Sequence, residues 1–309
     1  MNKVIVTGVN GFVGAHLVDS LLEDGYEITG VGREPEARQN IAEKLGSYRQ
    51  CDLADYSQVD TLQLSGVVAI INLAGLAAVG PSFDQPDLYM RINTSVLDSV
   101  CKAAIKQSAK LRIISISSGA VYKSQQTMPL TESSQLDKGS SPYAASKIAM
   151  EELSLKYREQ GLDCVIVRPF NHIGPGQLPG FILPDLCQKI MNLPEGQSEL
   201  AVGNLSTKRD YTDVRDVVRA YVAIVKTPEL PQPVYNVCTG RSLSGEYILQ
   251  ELLKVLDRED VTVRVDESLF RPSDAQDLYG DSSLLRNDTG WQPTTEISQT
   301  IRDFVESKR

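Results

Sequence analysis

The amino-acid sequence predicts an α/β fold built on a doubly wound parallel sheet, with a smaller C-terminal lobe. Two observations support this prediction. Short β-branched runs alternate with amphipathic segments before residue 170, which is typical of βαβ units. A glycine-rich turn at residues 7–14 separates the first apolar run from the first amphipathic segment, as it does in the Rossmann fold.

The spacing of apolar residues places the individual elements. The run at residues 67–73 is apolar apart from Asn72, which is typical of a parallel strand covered by helices on both faces. Strands are predicted at residues 4–6, 27–31, 67–73, 112–117 and 163–168. Helices are predicted at residues 12–23, 88–107, 143–160, 183–192, 213–226 and 243–257, and a last amphipathic helix closes the tail 291–306.

The composition of the sequence changes after Pro169. Residues 171–184 are rich in glycine and proline, which predicts a loop-rich region suited to a ligand-facing insertion. We therefore expect a Rossmann domain over residues 1–169 and a second lobe mainly over residues 170–309. Parts of about 210–240 are expected to return to the Rossmann core.

Composition excludes several classes of protein. The 309 residues include 31 Lys and Arg against 40 Asp and Glu, so the net charge is −9, which argues against a nucleic-acid partner. No apolar run reaches the length of about 20 residues that spans a membrane, and the N-terminus lacks a signal peptide, so we expect a cytoplasmic protein without a membrane partner. The five cysteines lack metal-ligand spacing and there are two histidines, so no metal site is predicted.

The glycine-rich turn predicts a dinucleotide cofactor. Gly8 permits the tight turn, Gly11 lets the backbone approach a pyrophosphate, and Gly14 lets helix and strand pack closely. The pyrophosphate then accepts hydrogen bonds from free N–H groups at the start of the helix. The cofactor-binding residues predicted in this turn are Gly8, Asn10, Gly11, Phe12, Val13 and Gly14.

The end of the second strand bears on the choice of cofactor. Arg33 stands where a NAD-binding site usually has an acid, and its planar fork suits the 2′-phosphate of NADP(H). Glu34, one residue later, leaves NAD(H) open. Asp52 and Leu53 are expected to follow a further strand that lies between those at 27–31 and 67–73, where such folds often contact adenine.

Three polar residues form a candidate catalytic group. Tyr143 and Lys147 are four residues apart on a predicted helix and therefore share a face. A free phenol has a pKa near 10. A nearby ammonium stabilises the phenolate and therefore lowers that pKa. Ser118 follows an apolar strand whose end lies beside the nucleotide cleft, so it can hydrogen-bond a substrate carbonyl that Tyr143 protonates.

The glycine turn, Ser118 and the string YAASK at residues 143–147 resemble the extended short-chain dehydrogenases/reductases that act on nucleotide sugars. The resemblance covers essentially the whole chain. Within this family, further strings are similar to the branch that reduces GDP-linked 4-keto-6-deoxy sugars. They are RPFNHIGPGQ at 168–177, KRDYTDVRDV at 208–217, VYNVCTG at 234–240, RPS at 271–273 and TGWQP at 289–293.

The resemblance implies roles for individual residues. Asn171, Arg209 and Arg271 are candidates for binding the GDP pyrophosphate, and two arginines could neutralise a diphosphate inside an acidic protein. Lys147 would also bind the nicotinamide ribose, and helices 88–107 and 143–160 would pair across a homodimer, as in relatives. The remaining residues assigned to the cofactor cleft are Leu73, Ala74, Gly75, Asn93, Tyr143 and Lys147.

Three activities and one non-catalytic role are compatible with such a site to different degrees. The favoured one is reduction of a C4 keto group by NADPH, with Tyr143 as proton donor. A 4-epimerase needs no further acid and stays open. A 4,6-dehydratase is disfavoured because Gly119 and Ala120, which follow Ser118, cannot transfer a proton. A non-catalytic NADP-sensing protein is disfavoured by the presence of the Tyr143–Lys147 pair.

Overall fold

A seven-stranded parallel sheet is the centre of the computed structural model, which describes residues 2–194, 196–269 and 276–308. The strands, numbered along the chain, are β1 Lys3–Thr7, β2 Glu27–Gly32, β3 Ser47–Gln50, β4 Val67–Asn72, β5 Arg112–Ile116, β6 Asp163–Pro169, β7 Asn171–Ile173, β8 Glu199–Val202, β9 Lys208–Arg209, β10 Tyr211–Asp213, β11 Val234–Val237, β12 Leu243–Ser244, β13 Thr262–Val265 and β14 Asp277–Leu278. The helices are α1 Phe12–Glu23, α2 Gln39–Ala42, α3 Tyr56–Val59, α4 Val79–Ser82, α5 Pro86–Lys106, α6 Pro142–Glu159, α7 Ile182–Met191, α8 Val214–Lys226, α9 Gly245–Val255, α10 Ser283–Thr289 and α11 Ile297–Glu306.

The order of the strands confirms the predicted doubly wound fold. Across the large sheet the strands run β3-β2-β1-β4-β5-β6-β11, and every neighbouring pair is parallel. The order reverses between β1 and β4, and ligands of such sheets bind in the crevice at that switch point. The fold thus places the ends of β1 and β4 beside a cofactor site.

Helices cover both faces of the sheet, which explains the apolar composition of its strands. On one face α1 and α8 pack with Ala69 and Ile71 of β4 in a single apolar core. On the other face α5 and α6 pack with Ile70 in a second core. Successive residues of β4 therefore point into different cores, so the whole strand must be apolar.

The predicted helix positions agree closely with the structure, and local signals explain the ends. Helix α1 has the predicted bounds, and α5 begins two residues earlier than predicted, with Pro86 in its first turn. Ser141 caps α6 by accepting a hydrogen bond from the Ala144 amide at 3.1 Å. Asp213 caps α8 by accepting one from the Arg215 amide at 2.7 Å.

The loop-rich region predicted over residues 171–184 begins with a strand that the sequence analysis did not predict. Strand β7 lies within it and pairs in parallel with β10, with Tyr211 opposite Asn171 and Asp213 opposite Ile173. The two strands are about forty residues apart in the chain, and a pairing this distant leaves no trace in local composition. The glycines that do follow, Gly174 and Gly176, form the loop between β7 and α7.

The second half of the chain contributes to both regions of the structure. Helices α7, α9 and α11 pack with β8 around a separate apolar core. Strand β11 instead joins the large sheet beside β6, and α8 packs against α1. Within the described ranges, every helix is too short or too polar to cross a lipid bilayer.

Gly14 illustrates how tightly α1 packs on the first strand-helix turn. A Cβ at Gly14 would lie 2.3 Å from the carbonyl oxygen of Val9, which is backbone and cannot move aside easily. We expect Gly14→Ala to lower the free energy of unfolding by about 1–3 kcal/mol, measured by urea denaturation without ligands. The matched control is Gly80→Ala in α4, where a Cβ meets nothing within 4 Å. Equal midpoints for the two variants would contradict the packing argument.

Candidate active site

The turn between β1 and α1 forms a cradle of backbone amides. Gly8 has φ +65°, and a Cβ there would lie 3.0 Å from the Ala74 nitrogen. Gly11 caps α1 without any side-chain hydrogen bond, so the amides of the first helical turn are left for another partner. Free amides at a helix start, approached without Cβ atoms, fit a dinucleotide pyrophosphate. Gly8, Gly11, Phe12, Val13 and Gly14 therefore lie where a cofactor would require them.

The end of β4 lies against this cradle. The Thr7 hydroxyl donates to Asn72 Oδ1 at 2.7 Å and accepts a hydrogen bond from the Ala74 amide at 3.1 Å. This pair of bonds fixes Leu73, Ala74 and Gly75 at the switch point of the sheet. A side chain at position 75 is excluded, because a Cβ would lie 2.7 Å from Asn93 Oδ1.

Asn93 joins the segment after β4 to α6. Its Oδ1 accepts a hydrogen bond from the Leu76 amide at 2.8 Å, and its Nδ2 donates to the Leu76 carbonyl and to Ser146 Oγ at 2.9 Å. The side chain is buried, and all of these contacts are within the protein. Asn93 therefore holds the wall of the cofactor cleft in place from α5.

Asn10 and Glu34 meet at the tip of β2. Asn10 Nδ2 donates to Glu34 Oε2 at 3.2 Å, and Asn10 Oδ1 accepts a hydrogen bond from the Arg38 amide at 2.9 Å. The Glu34 carboxylate folds back over Gly32, where a Cβ would lie 2.8 Å from its Oε2. Hydrogen bonding to its own backbone amide and to Asn10 lowers the pKa of Glu34 despite partial burial, so the carboxylate is charged. Arg33 beside it is exposed.

The residues after β3 have different surroundings. Asp52 is exposed, and its Oδ1 accepts a hydrogen bond from the Ala54 amide at 3.0 Å. Leu53 is 4% exposed and packs into the core beneath α5. Asp52 is thus the accessible member of this predicted pair.

Ser118, Tyr143 and Lys147 meet at the carboxyl end of β5. Ser118 begins a 3-10 turn over Gly119–Val121, and its Oγ accepts a hydrogen bond from the Ala120 amide at 3.1 Å. Lys147 Nζ donates to the Ile116 carbonyl at 2.9 Å and lies 6.0 Å from the centre of the Tyr143 ring. The sequence-predicted catalytic residues are therefore brought together, with two of them on one face of α6.

Burial dominates the titration of the two ionisable members of this group. Burial raises the pKa of Tyr143, and a hydrogen bond with the Ser118 hydroxyl partly opposes that rise. Burial lowers the pKa of Lys147 to about 8, and the negative charge of Glu151 partly opposes that fall. Near neutral pH Tyr143 is a phenol that can donate a proton, and Lys147 is the cation that can stabilise the resulting phenolate.

A buried ion pair that the sequence analysis did not predict lies behind this group. Arg168 of β6 forms a bidentate salt bridge with Glu151 of α6. Its Nε donates to Oε1 at 2.9 Å and its NH2 donates to Oε2 at 2.6 Å. The Ser117 hydroxyl also donates to Glu151 Oε1. The available signal was the spacing of Glu151, one helical turn beyond Lys147, together with an arginine inside an otherwise apolar strand.

The lobe contributes residues from β7 and β9. Asn171 is exposed on β7, and the ring of the next residue, His172, stacks on Phe12 with centroids 6.1 Å apart and planes 10° apart. Burial lowers the pKa of His172, so its ring is neutral near pH 7. Arg209 is half-buried on β9, and its NH1 donates to the Lys208 carbonyl at 2.7 Å. Arg271, the third predicted substrate-binding residue, lies outside the described residues.

The chain is similar to known proteins over nearly its whole length. The chain matches the GDP-mannose 4,6 dehydratase family over residues 5–304. It is 29% identical to GDP-6-deoxy-D-mannose reductase of Pseudomonas aeruginosa, over 98% of this chain and 96% of that protein. It is 27% identical to UDP-glucose 4-epimerase of Mus musculus over the same shares. The structure of RMD from Pseudomonas aeruginosa complexed with NADPH matches with a TM-score of 0.84 at 27% identity, over 99% of this chain and 98% of that one.

These matches agree with the motifs and with the geometry of the site. The family resemblance inferred from the glycine turn and the YAASK string is confirmed. The chain belongs to the GDP-mannose 4,6 dehydratase family and is an NAD(P)-dependent enzyme of the short-chain dehydrogenase/reductase type that acts on nucleotide sugars.

Proposed function

We propose that this protein uses NADPH to reduce the C4 keto group of a GDP-linked 4-keto-6-deoxy-hexose, converting GDP-4-keto-6-deoxy-D-mannose to GDP-D-rhamnose. The observation that carries the proposal is the full-length similarity to a GDP-6-deoxy-D-mannose reductase, combined with a complete Ser118–Tyr143–Lys147 group. In this proposal residues 1–169 hold mainly the cofactor, and residues 170–309 hold mainly the nucleotide sugar.

The residues of the site have complementary roles in this reaction. NADPH, when bound, supplies the hydride. Tyr143 donates its proton to the oxygen of the developing alkoxide, and Ser118 holds that oxygen by a hydrogen bond. Lys147 stabilises the phenolate left on Tyr143 and binds the nicotinamide ribose. Asn171, Arg209 and Arg271 bind the GDP pyrophosphate.

The turn after Ser118 distinguishes reduction from dehydration. Elimination of water needs an additional acid and base, and an acidic side chain after Ser118 would supply one. Gly119 occupies that position, and a Cβ there would lie 3.0 Å from the ring of Phe170. The site therefore lacks both the carboxylate and the room for it, which supports a reductase over a dehydratase.

A UDP-glucose 4-epimerase-like activity is the second candidate. It would oxidise and then reduce C4 with a retained NAD, using the same three catalytic residues. The observation that favours it is the charged Glu34 carboxylate at the tip of β2, where an acid accepts hydrogen bonds from the ribose hydroxyls of NAD. Cofactor preference therefore bears on the choice between the two activities.

We expect Tyr143→Phe to lower kcat of the reductase by about 10²–10⁴-fold, because it removes the general acid and leaves the ring in place. The measurement is the loss of absorbance at 340 nm with NADPH and enzymatically prepared GDP-4-keto-6-deoxy-D-mannose. NADPH binding should be retained. The matched control is Tyr56→Phe on α3, an exposed tyrosine whose hydroxyl donates to Asp60. Near-normal turnover by Tyr143→Phe would rule out its assigned role.

Arg33 and Glu34 should each contribute to the binding of a different cofactor, Arg33 to that of NADPH and Glu34 to that of NADH. We expect Arg33→Ala to raise KM for NADPH about tenfold, the value of one charge-assisted hydrogen bond, and to leave KM for NADH unchanged. Glu34→Gln should instead raise KM for NADH. The control is Arg302→Ala, on α11. If Arg33→Ala leaves both values unchanged while Glu34→Gln weakens NADH alone, the cofactor is NAD and the epimerase gains support.

We also propose that the protein is a homodimer formed through α5 and α6. The two helices pack side by side, and Met90, Ile105 and Leu155 expose apolar side chains on them. We expect light scattering after size-exclusion chromatography to give the mass of two chains, and the double variant Ile105→Glu/Leu155→Glu to give one. The control is Leu22→Glu, an exposed leucine on α1. A wild-type protein with the mass of one chain contradicts the proposal.

A further inference from the structure

Three successive turns of α6 contact three successive residues at the end of β5. Tyr143 meets Ser118, Lys147 Nζ donates to the Ile116 carbonyl, and Glu151 accepts a hydrogen bond from the Ser117 hydroxyl. Positions four residues apart on a helix share a face, so these contacts form one row. Glu151 is thus the third member of the row that carries the two catalytic residues of α6.

Glu151 is held in this row by Arg168. The two side chains are 4% and 5% exposed, and the guanidinium fork engages both carboxylate oxygens. The rest of the guanidinium is also satisfied, because NH1 donates to the Tyr122 hydroxyl at 2.9 Å and to the Glu132 carbonyl at 3.0 Å. Tyr122 in turn donates to Asn236 Oδ1 at 2.6 Å. A fully satisfied network of this kind is rigid and ties α6 to β6 and to β11.

The pair also determines the charge near Lys147. The buried site contains two cations, Lys147 and Arg168, and one anion, Glu151. Glu151 stabilises the charged form of Lys147, and the guanidinium of Arg168 binds both oxygens of the same carboxylate. Other titratable groups lie near the pair and Tyr143. Burial raises the pKa of the Glu132 carboxyl, which is close to Arg168, and it also raises the pKa of the phenols Tyr89, Tyr122, Tyr143 and Tyr221.

We propose that Glu151 and Arg168 are positioning residues of the reaction: together they fix the Ser117–Ser118 turn on α6 and set the charge that Lys147 experiences. The inference rests on the proposed reductase function for its kinetic consequences. Neither residue touches the reacting atoms; Glu151 acts through Ser117 and Lys147, and Arg168 acts through Glu151.

The two partners should shift the pH profile in opposite directions. In the wild type, kcat should fall as pH rises through about 8, because Lys147 loses its proton there. Glu151→Gln removes the anion and leaves Arg168 charged, so the fall should move to lower pH by about one unit. Arg168→Met leaves the Glu151 carboxylate without its guanidinium partner, so the fall of kcat should move to higher pH. A purely structural role predicts lower activity in both variants without opposite shifts.

A double variant and a control separate positioning from loss of fold. Each single substitution leaves an unpaired buried charge, which can unfold the protein. Glu151→Gln/Arg168→Met removes both charges, and we expect a kcat at least tenfold below wild type with a profile between those of the single variants. The control is Arg112→Met, which breaks the ion pair with Asp163 at the opposite end of β5 and should leave the profile unchanged. A double variant with wild-type kcat overturns the proposal.

Titration of Lys147 itself makes the test independent of turnover. Its side-chain nitrogen can be followed by NMR on lysine-labelled protein, with Lys147→Met identifying the resonance. The protein could fail to reduce the keto sugar while Glu151→Gln and Arg168→Met shift the Lys147 titration in opposite directions. That result would overturn the proposed function but leave intact the effect of Glu151 and Arg168 on Lys147. Unshifted titrations in an active reductase would overturn the present inference alone.

Discussion

The chemistry of this protein depends on the register of α6 against the carboxyl end of β5. The helix is fixed there by Lys147, which donates to the Ile116 carbonyl, and by Glu151, which accepts from Ser117. It also packs along α5 and over β6. A rotation or slide of α6 would break buried polar bonds as well as apolar contacts, so the distance between Ser118 and Tyr143 is set by the core and not by a mobile loop.

Buried charges in this site contrast with the acidity of the whole chain. The net charge is −9, yet the cations Lys147 and Arg168 are buried near Tyr143, the proposed proton donor. The free amides at the start of α1 add further positive potential at the cofactor cradle. Surface charges are screened within about 8 Å at physiological salt, whereas buried groups are screened much less. An acidic surface is therefore compatible with a site that binds phosphates and a developing alkoxide.

The sequence predicted the parts of the site that depend on local spacing. Gly8, Gly11 and Gly14 stand at fixed intervals between a strand and a helix, and Tyr143 and Lys147 are one helical turn apart, so both motifs are visible in a short window. The pairing of β7 with β10 and the Glu151–Arg168 bond were not predicted. Both join residues far apart in the chain, and their partners are specified by the packing of the sheet.

One extended segment connects the separate parts of the site. Strand β6 is followed, after Phe170 alone, by β7, so residues 168–172 form one nearly continuous extended stretch. Arg168 binds Glu151 behind Lys147, and the ring of Phe170 packs against Gly119, where a Cβ would lie 3.0 Å from it. Two residues on, His172 stacks on Phe12 at the cofactor cradle. The RPFNH run thus supports the ion pair, the serine turn and the cofactor cradle from one continuous piece of backbone.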